Sequence, residues 1–448
     1  MTIITALSGP GSSTLFIVNL SENFYKMRRG GLEMDLRQLL MVPLAAVFFF
    51  TAVPGFAADV NELERRLDIV SEELDRLKSS GGSGDGIAHR TSVHGYGETH
   101  WSAVEGTQAN VDQHRFVIGV HSEITDWIHL NAEIDFEHAA QTLEFEFGHL
   151  DFLVSNEMNF RVGTMLMPMG NLNEFHEPNR FFTVERPDFH KYLMPSTWQQ
   201  AGAGIFGSNG GLSYRFYVTN AVISLDDTRK FANSSFIRSG RSQIGVDGSS
   251  IEVGNIAFTG RLEKKTPGGQ IGFSLYTGDS TADRIEEGGN VTIVMADYKT
   301  RRGPWDLDFG LFKGWISDTT EINAACSADV GATNACDGTT PKSAFGLLVT
   351  FAVHLPQLMG RNTIHDVIPF VQYQNLRPND EVGGGATAND AKNYEVLQIG
   401  AAYKPHPQVA LKAGYRINYY GGTEAANSVP GDAGTSKTYF DFGVAYAY

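Results

Sequence analysis

The sequence predicts an all-β protein: a 16-stranded antiparallel transmembrane β-barrel preceded by a short N-terminal periplasmic coiled-coil helix. Three observations carry this reading. From about residue 90 onward a strand of about ten residues followed by a turn recurs to the C-terminus. The connections between these strands alternate short and long. The last strand, KTYFDFGVAYAY, sets Phe440, Phe442, Val444, Tyr446 and Tyr448 on one face and ends in an aromatic residue, like the C-terminal signal read by outer-membrane assembly machinery.

Composition agrees once the period is considered. The chain has 448 residues, 49 glycines, 11% aromatics and a formal net charge of -16. A soluble enzyme of that length would divide into two or three domains. The mean hydropathy of -0.19 argues against a bundle of membrane helices but not against a barrel, whose strands show lipid only every second residue. The acidic balance, with no basic stripe, argues against a nucleic-acid partner.

Residues 1-57 read as upstream sequence and a signal peptide that is removed. An apolar run from Leu39 to Val53 follows Arg37, and Gly55-Phe56-Ala57 offers small residues for cleavage after Ala57. A membrane-spanning helix needs about 20 apolar residues, more than this run contains. Residues 58-78 follow as a coiled-coil helix in the periplasm. Val60, Leu63, Leu67, Val70, Leu74 and Leu77 are spaced 3-4-3-4-3, with Glu64, Arg66, Glu73 and Lys78 on the flanks. A helix lying on a domain surface would show a wider apolar face. Residues 79-89, beginning SSGGSGDG, form a flexible linker to the barrel domain, residues 90-448.

The strands read as 92-101, 114-124, 128-137, 143-154, 158-167, 199-206, 212-219, 254-263, 270-277, 291-299, 304-314, 343-354, 364-374, 393-403, 409-419 and 437-448. IHLNAEIDFEH shows the alternation most clearly: Ile128, Leu130, Ala132, Ile134 and Phe136 face one side, with charged or polar residues between them. Strand 15 carries no charge on its outward face, where Arg or Lys at the bilayer midplane would cost about 2-4 kcal/mol. In strands 4, 10, 13 and 14 the alternation slips and assigns no phase. Short connections such as 125-127, 155-157, 207-211 and 405-408 sit opposite long ones at 168-198, 220-253, 315-342, 375-392 and 420-436. A β-sandwich or propeller has no reason to keep that order. Trp101 and Trp315 fall at the outer rim and Trp127 and Trp305 at the periplasmic rim, as interfacial aromatic girdles require.

A barrel of this size encloses water, so inward side chains decide what passes. The alternation turns Arg161, Arg215, Arg261, Lys412 and Arg416 inward as pore-lining residues, together with Glu133, Asp135, Glu137 and Glu263. Any one of them could simply wet the wall; a cluster in a narrow lumen focuses a field. The loop 168-198 contains Phe175, Phe181, Phe182, Phe189 and Tyr192, too many aromatics for a solvated loop. Folding into the lumen would bury them and bring Glu174, His176, Glu177, Arg180, Glu185, Arg186, His190 and Lys191 to a constriction; packing on neighbouring outer loops is the other way to bury them. Cys326 and Cys336, the only cysteines, are expected to close a loop as a disulfide in an oxidising compartment. Two unpaired thiols are the alternative. No metal site is expected: the cysteine spacing fits no zinc site, and His176, Glu177 and His190 are irregularly spaced.

The segment FRVGTMLMPMGNL...RFFTVERP resembles strand 5 and the third loop of the phosphate-selective porin O/P family, bacterial outer-membrane porins. Gly163, Pro168, Gly170, Phe182, Glu185 and Arg186 take the places of its Gly, Pro-x-Gly and Phe-x-x-Glu-Arg motifs. The resemblance implies a 16-stranded trimeric channel narrowed by its third loop, and anion passage by way of basic side chains. Gln199 and Gln200 stand where the family pattern leads one to expect Arg before strand 6.

The expected function is therefore that of an outer-membrane porin: a passive diffusion channel for small hydrophilic solutes, with anions such as phosphate among those the resemblance implies. Outer-membrane lipids, a homotrimer and small solutes or ions are the expected partners, with no cofactor. The alternative is a barrel sheath around a partner crossing the outer membrane, such as an electron-transfer cytochrome; the stalk and third loop favour the channel. An enzyme is not expected, since the sequence shows no GxSxG, Ser/His/Asp spacing or Gly-rich phosphate loop.

Overall fold

The computed structural model describes residues 90-224, 236-241, 255-281, 288-328, 339-384, 387-421 and 436-448. The signal segment, coiled-coil helix and most of the linker lie outside the described residues, as does the expected disulfide, since neither Cys336 nor the side chain of Cys326 is described.

Among the described residues sixteen strands form one closed antiparallel barrel. They are β1 (Thr91–Val104), β2 (Asn110–Glu123), β3 (Ile128–Glu137), β4 (Thr142–Phe152), β5 (Asn159–Leu166), β6 (Gln199–Asn209), β7 (Leu212–Asn220) and β8 (Ile256–Thr266). β9 (Gly269–Asp279), β10 (Asn290–Arg302), β11 (Trp305–Ile316), β12 (Pro341–Val353), β13 (Asp366–Val382), β14 (Tyr394–His406), β15 (Val409–Tyr420) and β16 (Ser436–Ala447) complete it. Each expected strand overlaps one of these, and β1 pairs with β16 from Tyr96↔Ala447 to Val104↔Tyr439. The terminal residue joins this seam: Gly95 and Tyr448 exchange backbone hydrogen bonds of 3.0 and 2.8 Å.

Local chemistry explains the tight turns and the wall. Gly210 and Gly211, between β6 and β7, have φ of 57° and 76°, the left-handed pair that a two-residue hairpin turn requires. Side chains such as Ile134, Phe258, Phe273, Ile399 and Phe440 are exposed on the outer face, while Asp135, Tyr217, Tyr276 and Asp441 on the inner face are buried. That inversion, apolar outside and polar residues within, suits a wall against lipid. Trp101 packs on Phe442 (ring centroids 5.3 Å apart) and Trp127 on Phe152 (5.8 Å) near opposite ends of their strands.

The phase slips in the sequence have two physical causes. In β4 a bulge shifts the register between Glu133↔Phe147 and Ile134↔Phe145, so the inward side changes along the strand. In β10, β13 and β14 the inner face is itself apolar: Val291, Ile293, Met295, Ile368, Phe370, Leu376 and Val396 are buried there. Their partner is the loop between β5 and β6. Met167, Met169, Phe189, Leu193, Met194 and Trp198 of that loop and its flanks form one buried cluster with Val291, Ile293, Met295, Phe312, Leu348 and Leu376 of the wall. A period-two reading fails where a barrel contains its own hydrophobic core. The connection after β11 carries a helix, α1 (Thr319–Ala328).

Candidate functional site

Asn173 closes the neck of the β5–β6 loop. Its side-chain amide donates to the carbonyls of Met167 and Trp198 (2.8 Å each), and its oxygen accepts from the Trp198 amide (2.8 Å). The segment between contains single 3-10 turns at Pro178–Arg180 and Asp188–His190. From this neck the loop reaches strands on opposite sides of the barrel, which requires it to cross the interior. Phe189 lies 6.5 Å from Phe312 of β11, ring centroid to centroid. A Cβ on Gly346 of β12 would lie 2.2 Å from Leu193 Cδ1; the glycine is what lets the loop approach this wall. The Phe189 amide donates to Gln374 of β13 (2.8 Å), and the Tyr394 hydroxyl of β14 donates to Asp188 (3.1 Å). Lys412 of β15 donates to the carbonyls of Pro178 and Thr183.

On the other side the loop meets charge. His176 hydrogen-bonds the Tyr96 hydroxyl of β1 (2.8 Å) and lies 3.2 Å from Glu146 of β4. His100 of β1 bonds Glu185 (2.7 Å) and Glu98 (2.9 Å), and Arg115 of β2 donates to Glu98 (2.8 Å) and to the His176 carbonyl (3.3 Å). The interior is thus divided: an apolar half against β9–β13 and a titratable half against β1–β4.

Within the loop, Glu174 pairs with Arg215 (3.2 Å) and Lys191 with Glu185 (2.9 Å). Burial pushes the Glu185 carboxyl up, yet Lys191 and His100 together hold it well below the usual carboxylate range. Arg180 is half-exposed and pairs with Glu177 (2.9 Å), so it stands apart from the buried set. Arg186 is buried, donates to Thr197 (3.1 Å) and Ser196 (3.4 Å), and forms no ion pair among the described residues. Burial and the neighbouring Arg115 push its pKa down to about 10, which leaves it charged at neutral pH. His190 is buried with Nδ1 unpartnered; burial, then Arg186, push it down to about 3 and keep it neutral. Glu177 lies against Arg180 and His190 near Gly170, so neither joins His176.

The basic residues of the wall are answered by acids or carbonyls. Arg161 grips Asp151 through two bonds (2.7 and 2.9 Å). Arg261 grips Asp297 likewise (2.6 and 2.9 Å) and reaches Glu263 at 3.1 Å. Arg215 adds Glu263 at 3.9 Å, and Arg416 lies 3.6 Å from Asp441 and 3.9 Å from Asp188. Among the acids, Glu133 lies 3.5 Å from the Tyr96 hydroxyl and 3.7 Å from His94. Asp135 is buried with one oxygen unpartnered, and Glu137 ends β3 half-buried. Sequence reasoning did not single out Asn173, Tyr96, Glu98, His100 or Arg115. The inward alternation of β1 was available as a signal for Glu98 and His100, but nothing local marks Asn173.

Comparison with solved structures bears on the barrel. OmpF of Salmonella typhi, in complex with daunomycin, superposes with a TM-score of 0.52 at 12% identity, over 80% of this chain and 97% of that one. The fold is that of an outer-membrane porin. The outer membrane channel DcaP of Acinetobacter baumannii gives 0.50 at 10% identity, over 80% of this chain and 97% of its own. A loop L8 deletion mutant of OmpT, an outer membrane protein of Vibrio cholerae, gives 0.50 at 8%, over 80% and 99%. At these identities the likeness lies in the porin fold alone. In sequence, an uncharacterised protein of Aquifex aeolicus (strain VF5) is 28% identical over 338 residues, which are 72% of this chain and 74% of that protein. No family model matches the chain.

Proposed function

We propose that this porin-fold protein is a passive diffusion channel of the outer membrane for small hydrophilic solutes, narrowed by the loop between β5 and β6. The observation that carries the reading is a closed barrel, apolar outside, whose inner wall bears ionisable side chains along β1–β4 while the loop packs its apolar side against the opposite wall. We place the solute path along this polar wall beside the apolar brace, where ions in a narrow lumen feel its charges strongly. The same brace disfavours a sheath, which needs an open bore.

Phosphate and other anions enter through the resemblance to the O/P family, with Arg186 as the one arginine or lysine of the loop free of an ion pair among the described residues. The wall bases do not add to an anion path, because each is already neutralised or spent on carbonyls. A trimer, as the resemblance implies, is part of the same proposal. The test is conductance in planar bilayers with reversal potentials in asymmetric salt. Wild-type protein should form discrete channels, and deletion of residues 172-194 should raise single-channel conductance. A folded deletion variant that conducts like wild type would remove the loop from the path.

A further inference from the structure

Three imidazoles and two carboxylates gather where β1, β2, the end of β3 and the loop meet. Asp112 Oδ2 lies 3.1 Å from His114 Nδ1 and 2.9 Å from His138 Nδ1. The His114 ring stacks on His100 with centroids 4.6 Å apart and planes at 18°, and His100 Nδ1 lies 2.7 Å from Glu185. Two three-residue donor sets result, Asp112–His114–His138 and His100–His114–Glu185, each with its donor atoms within 4.8 Å of one another and both sharing His114.

The backbone is what assembles them. Between Glu98↔Arg115 and His100↔Asp112 the β1–β2 register slips by one residue, so Gln113 and His114 together oppose Thr99. A regular strand would send residues 114 and 115 to opposite faces; the bulge lets His114 stack on inward-facing His100 while Arg115 still reaches Glu98. His138, at φ 50°, folds back over β2, its amide donating to the His114 carbonyl (3.0 Å).

We propose that Asp112, His114 and His138 form a binding site for a divalent first-row transition-metal ion such as Zn²⁺, Co²⁺ or Ni²⁺. Two imidazoles and a carboxylate suit such ions, whereas Mg²⁺ and Ca²⁺ prefer oxygen alone. Ligand bonds of about 2.1 Å set donors about 3 Å apart at octahedral angles and about 3.4 Å apart at tetrahedral ones; Asp112 lies 3.1 and 2.9 Å from the two rings. Neutral rings need only carry their proton on Nε2 to offer Nδ1 to the metal. The nearest cations are engaged elsewhere, Arg115 with Glu98 and Lys191 with Glu185. All three donors remain partly open to solvent, so an ion can arrive without unfolding.

The site goes beyond the channel reading and is tested without conduction. Co²⁺ is titrated into detergent-purified full-length protein and its visible ligand-field absorption followed, with Zn²⁺ competition measured by calorimetry. One site per chain at micromolar metal is expected. His114→Ala and the size-conserving Asp112→Asn should each weaken binding at least about tenfold, while His406→Ala, at a short turn, should not. Retained gel heat-modifiability confirms that each variant is folded. Unchanged affinity in both site variants, or only millimolar binding by wild type, overturns the proposal. Protein that binds Co²⁺ as described but forms no channels would leave the site standing and fail the channel reading instead.

Discussion

Arg180 and Arg186 look alike in the sequence, two arginines in one aromatic loop, and the fold gives them opposite surroundings. Arg180 is half-exposed against Glu177, whereas Arg186 is buried on hydroxyl groups beside Arg115. An unscreened buried charge perturbs a passing ion several-fold more than one in water. Arg186→Gln should therefore move the reversal potential toward cation selectivity, and Arg180→Gln should leave it near wild type; equal shifts would contradict this division. His190 supplies a pH prediction. Its folded-state value of about 3 lies below the 6.5 of a free imidazole, so acid protonates the unfolded chain first. The stability this provides is complete above about pH 6.5 and is lost as pH falls toward 3. His190→Met should flatten that dependence, measured as the change in urea midpoint between about pH 7 and pH 4. Residue types at the site were legible from alternation, but their partners were not. Glu174 meets Arg215 and Asp188 meets Tyr394 only because the loop crosses the interior, and no local pattern encodes a contact of that range.

At the level of elements, strands were legible wherever one face meets lipid and the other water, as in β3 and β15. They were blurred where β10, β13 and β14 meet the loop's methionines and aromatics, because both faces are then apolar. Bulges were also invisible, since a single extra residue changes the facing of everything beyond it, as in β2 and β4. The loop's richness in aromatics did mark it as buried; its anchoring by Asn173 carried no signature. Asn173→Ala removes three buried hydrogen bonds at the neck; the Met167 and Trp198 carbonyls keep backbone donors, but the Trp198 amide is left unanswered, which costs about 1-3 kcal/mol when buried. The variant should keep its barrel but become susceptible to proteolysis within residues 174-196, read by mass spectrometry of the fragments. A loop as resistant as wild type would place the anchor elsewhere.

For the whole molecule, the alternation of short and long connections was the decisive sequence signal, because it reports topology instead of local propensity. Detergent-purified protein should give a β-dominated circular dichroism spectrum and migrate differently on gels before and after boiling; a helical spectrum is incompatible with the barrel. The proposed trimer should elute as such in mild detergent, and removal of residues 58-86 should weaken that association without abolishing it. A monomeric wild-type chain would refute the trimer. The loop's reach across the interior also constrains the order of assembly. It touches strands from both ends of the chain, His176 on β1 and Lys412 on β15 among them, so it cannot be threaded in after the wall is shut. The cylinder must therefore close around a segment already lying inside it. Contacts between residues so far apart in sequence make that a slow step, during which the apolar inner face of β9–β13 would lie open to other chains were the loop not already against it. The loop that braces the finished barrel from within is, during biogenesis, the cover that keeps its half-built wall from aggregating.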